Sequence, residues 1–196
     1  MKSMADPARS LDERFTYGDY RKWPEGERWE LIEGVPYSMS PAPNWRHQEL
    51  LGRLHLEIGQ FLRGKTCKVA ISPFDILLPK GDEGDEAVDT VLEPDLMVFC
   101  DRSKIGETRA RGAPDFTIEI LSPRTARRDF GLKWELYERH GVREYWIVDP
   151  EGRRVHAWRL EQDGRFGAEI IYESGSKAPV AVLDGLVIDV DALFAE

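Results

Sequence analysis

Apolar positions recur along the chain with two periods, and the switches between them mark out its elements. From about Asn44 to Leu62, Leu50, Leu51, Leu54, Ile58, Phe61 and Leu62 return at spacings of three and four, which predicts a helix ended by Gly64. A second helix is predicted from about Thr125 to His140, closed by Gly141. A short one is predicted over Thr16–Trp23, with Thr16 as N-cap and Pro24 as stop. Arg28–Met39 (RWELIEGVPYSM) predicts two short strands about a Glu33-Gly34 turn. Lys68–Leu78 (KVAISPFDILL) and Val91–Cys100 (VLEPDLMVFC) predict a long hairpin around the loop Gly81–Thr90. Pro114–Leu121 (PDFTIEIL) has the near-continuous apolar run of a buried strand, and Arg143–Val148 (REYWIV) supplies another. After the turn at Asp149–Gly152, Val155–Leu160, Ala168–Glu173 and Leu186–Val190 read as a β-meander, with a short helix over Val190–Phe194. The order predicts an α/β (α+β) domain on a mixed sheet, with added strands at both ends.

The length, 196 residues, suits one domain, and residues 1–12 are expected to be a flexible tail before a single domain over 13–196. No apolar run approaches the roughly 18 residues of a membrane span, and the first fifteen residues hold no apolar core segment. The two cysteines, Cys67 and Cys100, form no CxxC pair and are expected to be reduced thiols in strands of a cytoplasmic protein.

A formal net charge of −9 argues against a uniformly basic surface for nucleic acid, but the charge is uneven. Gly81–Thr90 carries five acids and no base. Arg102–Lys133 carries eight bases against four acids, a local basic region able to face a phosphodiester.

Several chemistries have no motif here. GxGxxG opening a helix, GxxxxGK[ST], HExxH, paired CxxC and GxSxG are all missing, and the four histidines lie far apart. What stands out is a pair of acids inside apolar strands: Asp95 in VLEPDLMVF and Glu119 in FTIEILS. Such carboxylates are costly unless paired, protonated or bound to a cation. A divalent cation removes the repulsion between two of them, and hard oxygen ligands suit Mg²⁺ or Mn²⁺. The Ile120 carbonyl is a candidate further ligand. On the following helix Asp129, Lys133 and Tyr137 are spaced by four and share a face. Lys133 can then serve beside the metal, orienting water or offsetting charge on phosphorus. The plainer alternative is an Asp129–Lys133 surface pair worth about 0.3–0.5 kcal/mol.

Supporting candidates are weaker. Asp75 sits where the hairpin would make it a cross-strand neighbour of Asp95, as a second ligand or a supporting acid. His47, at the start of the first long helix, can reach substrate phosphate or a metal-bound water. Trp134, Tyr137, Tyr145 and Trp146 are expected in the core.

Pro94-Asp95, a glutamate 24 residues later and a following helix resemble the PD-(D/E)xK nuclease superfamily. The runs ELIEG (Glu30–Gly34), PAPNWRH (Pro41–His47), SPFDILL (Ser72–Leu78), EPDLMV (Glu93–Val98), GAPDFTIEILSPRT (Gly112–Thr125) and GVREYWIVDP (Gly141–Pro150) are similar, in combination, to the Uma2 (DUF820) family of "putative restriction endonucleases". The resemblance covers about residues 15 to 175. It implies a restriction-endonuclease-like αβββαβ core, with Asp95, Glu119 and Lys133 as catalytic residues, and Asp95 and Glu119 as metal ligands. The superfamily pattern puts lysine two residues after the glutamate, where this chain has Leu121, so Lys133 is its candidate replacement. Glu33 can add an acid from the N-terminal layer, as some superfamily members do from their first helix.

Two functions of different kinds follow. One is a metal-dependent endonuclease acting on DNA, a homodimer if it cuts duplexes. The other is a catalytically inactive binding or regulatory module that keeps the fold, favoured by Leu121 and the acidic net charge. Hydrolysis of a smaller phosphoester is a third possibility that nothing in the sequence separates from the first.

Overall fold

A computed structural model of the chain describes residues 13–24, 26, 28–39 and 43–195, so the expected tail over 1–12 lies outside the described residues. Helix α1 (Tyr17–Tyr20) starts at Thr16, whose side chain and backbone N–H both meet Asp19, a capping box. Strands β1 (Trp29–Ile32) and β2 (Val35–Ser38) form the predicted hairpin. Its turn residues Glu33 and Gly34 take φ of 51° and 80°, the left-handed pattern of a two-residue loop. Helix α2 (Trp45–Phe61) is capped by Asn44, whose side chain accepts from the His47 N–H at 2.9 Å, and it buries Leu50, Leu51, Leu54 and Ile58.

The predicted long hairpin is instead cut in two. Strands β3 (Lys68–Ile71) and β4 (Asp75–Leu77) replace its first arm; β5 (Val91–Leu92) and β6 (Leu96–Phe99) replace its second. Pro73 and Pro94 have no N–H to give, so the ladder cannot run through them. β3 pairs with β6, whereas β4 pairs with β5 and, in parallel, with the unpredicted strand β7 (Arg109–Arg111).

Strand β8 (Phe116–Ile120) follows. The predicted helix after it comes in three pieces: α3 (Ala126–Arg128), a π-helical turn (Asp129–Lys133) and α4 (Trp134–Arg139). It leads back to β9 (Glu144–Asp149), which lies parallel to β8. The chain ends with β10 (Arg154–Arg159), β11 (Ile170–Tyr172), β12 (Lys177–Pro179), β13 (Val187–Asp189) and α5 (Val190–Leu193).

One mixed sheet has the order β11-β10-β9-β8-β6-β3, a second β2-β1-β5-β4-β7, and β12-β13 form a separate ribbon. Alternation along the strands divides the main sheet's side chains between two cores. Leu96, Val98, Phe116, Ile118, Ile120, Trp146 and Val148 pack against α2, the β12-β13 ribbon and α5. Met97, Phe99, Tyr145 and Ile147 face the opposite way, toward α4 and the second sheet. Tyr137, Tyr145 and Trp146 are buried as expected, and Trp134 is half-buried.

The expectation of reduced thiols is corrected. The β3–β6 register sets Lys68 opposite Phe99, so the next pair outward is Cys67 and Cys100, and these two form a disulfide. Their separation of 33 residues hides this neighbourhood in the sequence. No helix among the described residues is long and apolar enough to cross a membrane.

Candidate active site

Glu119 is the second-to-last residue of β8, on the face opposite Ile118 and Ile120, and so points toward α4. Asp95 stands one residue before β6. Leu96 pairs with Ile118, which brings Asp95 alongside Glu119 at the sheet's end. The Asp95 carboxylate then accepts the Ile120 backbone N–H at Oδ2, 2.8 Å. The same oxygen lies 3.2 Å from Nε2 of His47, delivered by the first turn of α2.

The third element is the π-helical turn. Its wider winding keeps Asp129 and Lys133 on one buried face, 1% and 3% exposed, which rules out a surface pair. Lys133 Nζ lies 2.8 Å from Glu119 Oε1, 2.8 Å from Glu30 Oε1 and 3.9 Å from Asp129 Oδ1. The Tyr137 hydroxyl, one α-turn on, donates to the same Glu119 oxygen at 2.7 Å. Tyr145 donates to the Asp129 carbonyl at 3.1 Å and ties the turn to β9.

Glu30 is the residue that sequence reasoning missed. It lies in β1, fully buried, accepts the Glu93 N–H at 3.2 Å and sits 3.7 Å from Arg128 Nε. The one available signal was a glutamate flanked by Trp29 and Leu31 inside a short strand, the same signature that marked Asp95 and Glu119.

Two supporting candidates fall elsewhere. Glu33 is exposed at the β1–β2 turn and pairs with Arg139 at 2.7 Å. The acid from the N-terminal layer is Glu30, because positive φ at Glu33 ends the strand and turns its side chain outward. Asp75 is no neighbour of Asp95, since the register Ile76↔Leu92 puts it opposite Glu93 in the second sheet. Burial raises its pKa to about 6, and the charge of Glu30 adds to the rise.

Electrostatics follow from crowding. Four carboxylates (Glu30, Asp95, Glu119, Asp129) meet two basic side chains, Lys133 and Arg128. Burial lifts Glu119 to about 8 against the opposing pull of Lys133, with Asp129, Asp95 and Glu30 adding to the rise. Burial likewise lifts Asp129 to about 6. Burial alone would lower Lys133, but Glu119, Glu30 and Asp129 outweigh it, so the lysine stays charged.

The donor set fits a hard dication in one respect. Among the described residues, Asp95 is held only through Oδ2 and Glu119 only through Oε1, so Oδ1 and Oε2 accept nothing from the protein. Asp129 Oδ1 is buried without a hydrogen-bond partner. No group of three or more His, Cys, Asp or Glu among the described residues is disposed as a complete cage. Mg²⁺ does not need one, because it commonly takes one or two carboxylates and keeps water and substrate oxygens.

Comparison with known proteins agrees with this architecture. The Uma2 family profile, described as "Putative restriction endonuclease", matches residues 17–191. An uncharacterized protein of Synechocystis sp., slr1290, is 25% identical over 149 residues, covering 74% of each chain. The crystal structure of a "putative nuclease belonging to DUF820" from Anabaena variabilis superposes with a TM-score of 0.75 at 23% identity, over 92% of this chain and 97% of that one. At that identity the likeness bears on the fold, which matches the αβββαβ core read as α2, β3, β6, β8, α3–α4 and β9.

Proposed function

The chain belongs to the Uma2 family, and on that premise we propose that it is a nuclease that hydrolyses DNA phosphodiester bonds with Mg²⁺ or Mn²⁺ held by Asp95 and Glu119. The observation that carries the reading is the meeting of these two carboxylates, each with one oxygen fixed by the protein and one left over, beside the Lys133 ammonium.

Bound there, the dication supplies Lewis acidity toward a phosphoryl oxygen and lowers the pKa of a water. The protein's own groups do the positioning. His47 and the Ile120 N–H fix Asp95, and Tyr137 and Lys133 fix Glu119. Lys133 brings a permanent positive charge, shielded from bulk water, to the place where negative charge grows on phosphorus. Glu30 holds that ammonium from the other side. A homodimer about a twofold axis is the expected assembly only for a duplex substrate, both of whose strands must be cut. A DNA substrate fits the expected cytoplasmic location, whereas the Cys67–Cys100 bridge removes reduced thiols as support for it.

A second reading is a binding or regulatory module without catalysis. The closed pairing of Lys133 with Glu30 and Glu119 favours it, because the protein's own carboxylates already meet that ammonium's charge. Calorimetric titration with Mn²⁺, run alongside cleavage assays, separates the two. The nuclease reading expects metal binding and metal-dependent cutting, both lost in Asp95→Ala. A wild-type protein that binds no Mn²⁺ and cuts neither single- nor double-stranded DNA overturns it.

A further inference from the structure

The basic stretch Arg102–Lys133 is mostly spent within the fold. Arg109 and Arg111 pair with Asp85 of the acidic loop at 2.7 Å each, which joins the two oppositely charged segments. Lys104 donates to the Ala113 carbonyl, and Arg128 and Lys133 serve the buried acids. Arg102, Arg124 and Arg127 remain exposed with no side-chain partner among the described residues, and of these Arg124 and Arg127 follow directly on β8. They lie just beyond Ile120, whose N–H the Asp95 carboxylate accepts, in the Ser122–Thr125 turn and α3.

The same Asp95 oxygen that accepts the Ile120 N–H also meets His47, and the two residues before it are unusual. Arg46 is exposed and likewise without a partner among the described residues. Trp45, the first residue of α2, is 79% exposed, whereas the other five tryptophans are buried or half-buried. A bare indole costs solubility and is not needed to hold α2, whose packing comes from Leu50, Leu51, Leu54 and Ile58. Aromatic faces flanked by arginines are how proteins hold unpaired nucleic-acid strands: bases stack, and guanidiniums take the phosphates. In a duplex the base faces are already stacked on each other and cannot reach an indole.

We propose that Trp45, Arg46, Arg124 and Arg127 form a cradle for a single DNA strand that crosses the Asp95–Glu119 site, with an unpaired base stacked on Trp45. The assignment rests on the nuclease reading for the identity of the ligand, and it names the substrate class as single-stranded DNA or an unpaired segment.

The test is equilibrium binding in EDTA, so that no cutting intervenes. Affinity is read from the anisotropy of a dye-labelled oligothymidylate, alone and in the matching duplex, and quenching of tryptophan emission is followed separately in wild type. Wild type should bind the single strand more tightly, with quenching. Trp45→Ala should lose about tenfold of that affinity, the value of one base stack, while Trp45→Phe keeps most of it. Replacing Arg46, Arg124 and Arg127 by Ala should flatten the salt dependence by about 0.7 per arginine. Tighter binding of the duplex, or Trp45→Ala binding the single strand as well as wild type, overturns the cradle. Metal-dependent cleavage, read on the same preparations, keeps the two ideas apart. Cutting with Trp45→Ala binding intact removes the cradle alone; binding through Trp45 with no cutting by any metal removes the nuclease reading and leaves the cradle.

Discussion

The Lys133 ammonium lies 2.8 Å from a carboxylate oxygen of Glu119, although 14 residues and a break between strand and helix separate them. Leu121, two residues after Glu119, occupies the position where the superfamily pattern has lysine, and it packs into the apolar cluster beside α4. The charge missing from the strand is thus supplied by the π-helical turn. Lys133→Met should keep the fold but lower cleavage by at least about 100-fold. It should also cost about 3–5 kcal/mol of stability, because buried acids lose their counter-charge. Adding Leu121→Lys to Lys133→Met should restore part of the activity, read by cleavage rates and denaturant melts on the three proteins.

Glu30 pairs with Lys133 and, among the described residues, makes no hydrogen bond to Asp95 or Glu119, so in the proposed nuclease it is a positioning residue. Glu30→Gln should reduce turnover by about tenfold while leaving Mn²⁺ affinity close to wild type, a split that calorimetry and kinetics read together. Glu33→Gln is the contrast: its exposed pair with Arg139 should matter by less than about 1 kcal/mol, with cleavage unchanged.

Asp75 sets a pH dependence with a definite sign. Its pKa is about 6 in the folded chain against an ordinary 3.8, raised first by burial and then by Glu30. Between those values the native state binds more protons than the unfolded one, so this group's contribution to stability falls as pH rises and stays lower above the window. Asp75→Asn should therefore match wild type below about pH 4 and exceed it by up to about 3 kcal/mol near pH 8, measured by urea unfolding at both pH values.

The Cys67–Cys100 bridge closes a loop spanning 33 positions between β3 and β6. Constraint of the unfolded chain predicts about 3–4 kcal/mol of stabilisation. Thiol titration of the native protein should find no free cysteine, and a reductant should lower the melting temperature to that of the Cys67→Ala, Cys100→Ala double variant. Equal melting temperatures with and without reductant would remove the bridge as a source of stability.

Much of the fold was legible because its signals are local. Helix α2 is legible in apolar residues at spacings of three and four, and β8 and β9 in apolar runs. The long hairpin was misread because proline at 73 and 94 was counted as part of a strand, although neither can donate to a ladder. Strand β7 was missed because RAR carries no apolar pattern; its pairing with β4 is imposed by the second sheet. Glu119 and Asp95 were found as acids where strands should be apolar. Glu30 carries the same signal, a buried acid between apolar neighbours, whereas Glu33 three residues on is an exposed turn residue.

By itself, the sequence determined the elements, the family and the presence of costly acids in buried strands, since periodicity and desolvation act residue by residue. Only the tertiary structure decided which acids meet, which cysteines join, and that the Lys133 ammonium lies beside Glu119. Those are distances between segments far apart in the chain, set by strand register, by the crossing from one sheet to the other and by a π-helical turn whose winding leaves no mark in composition.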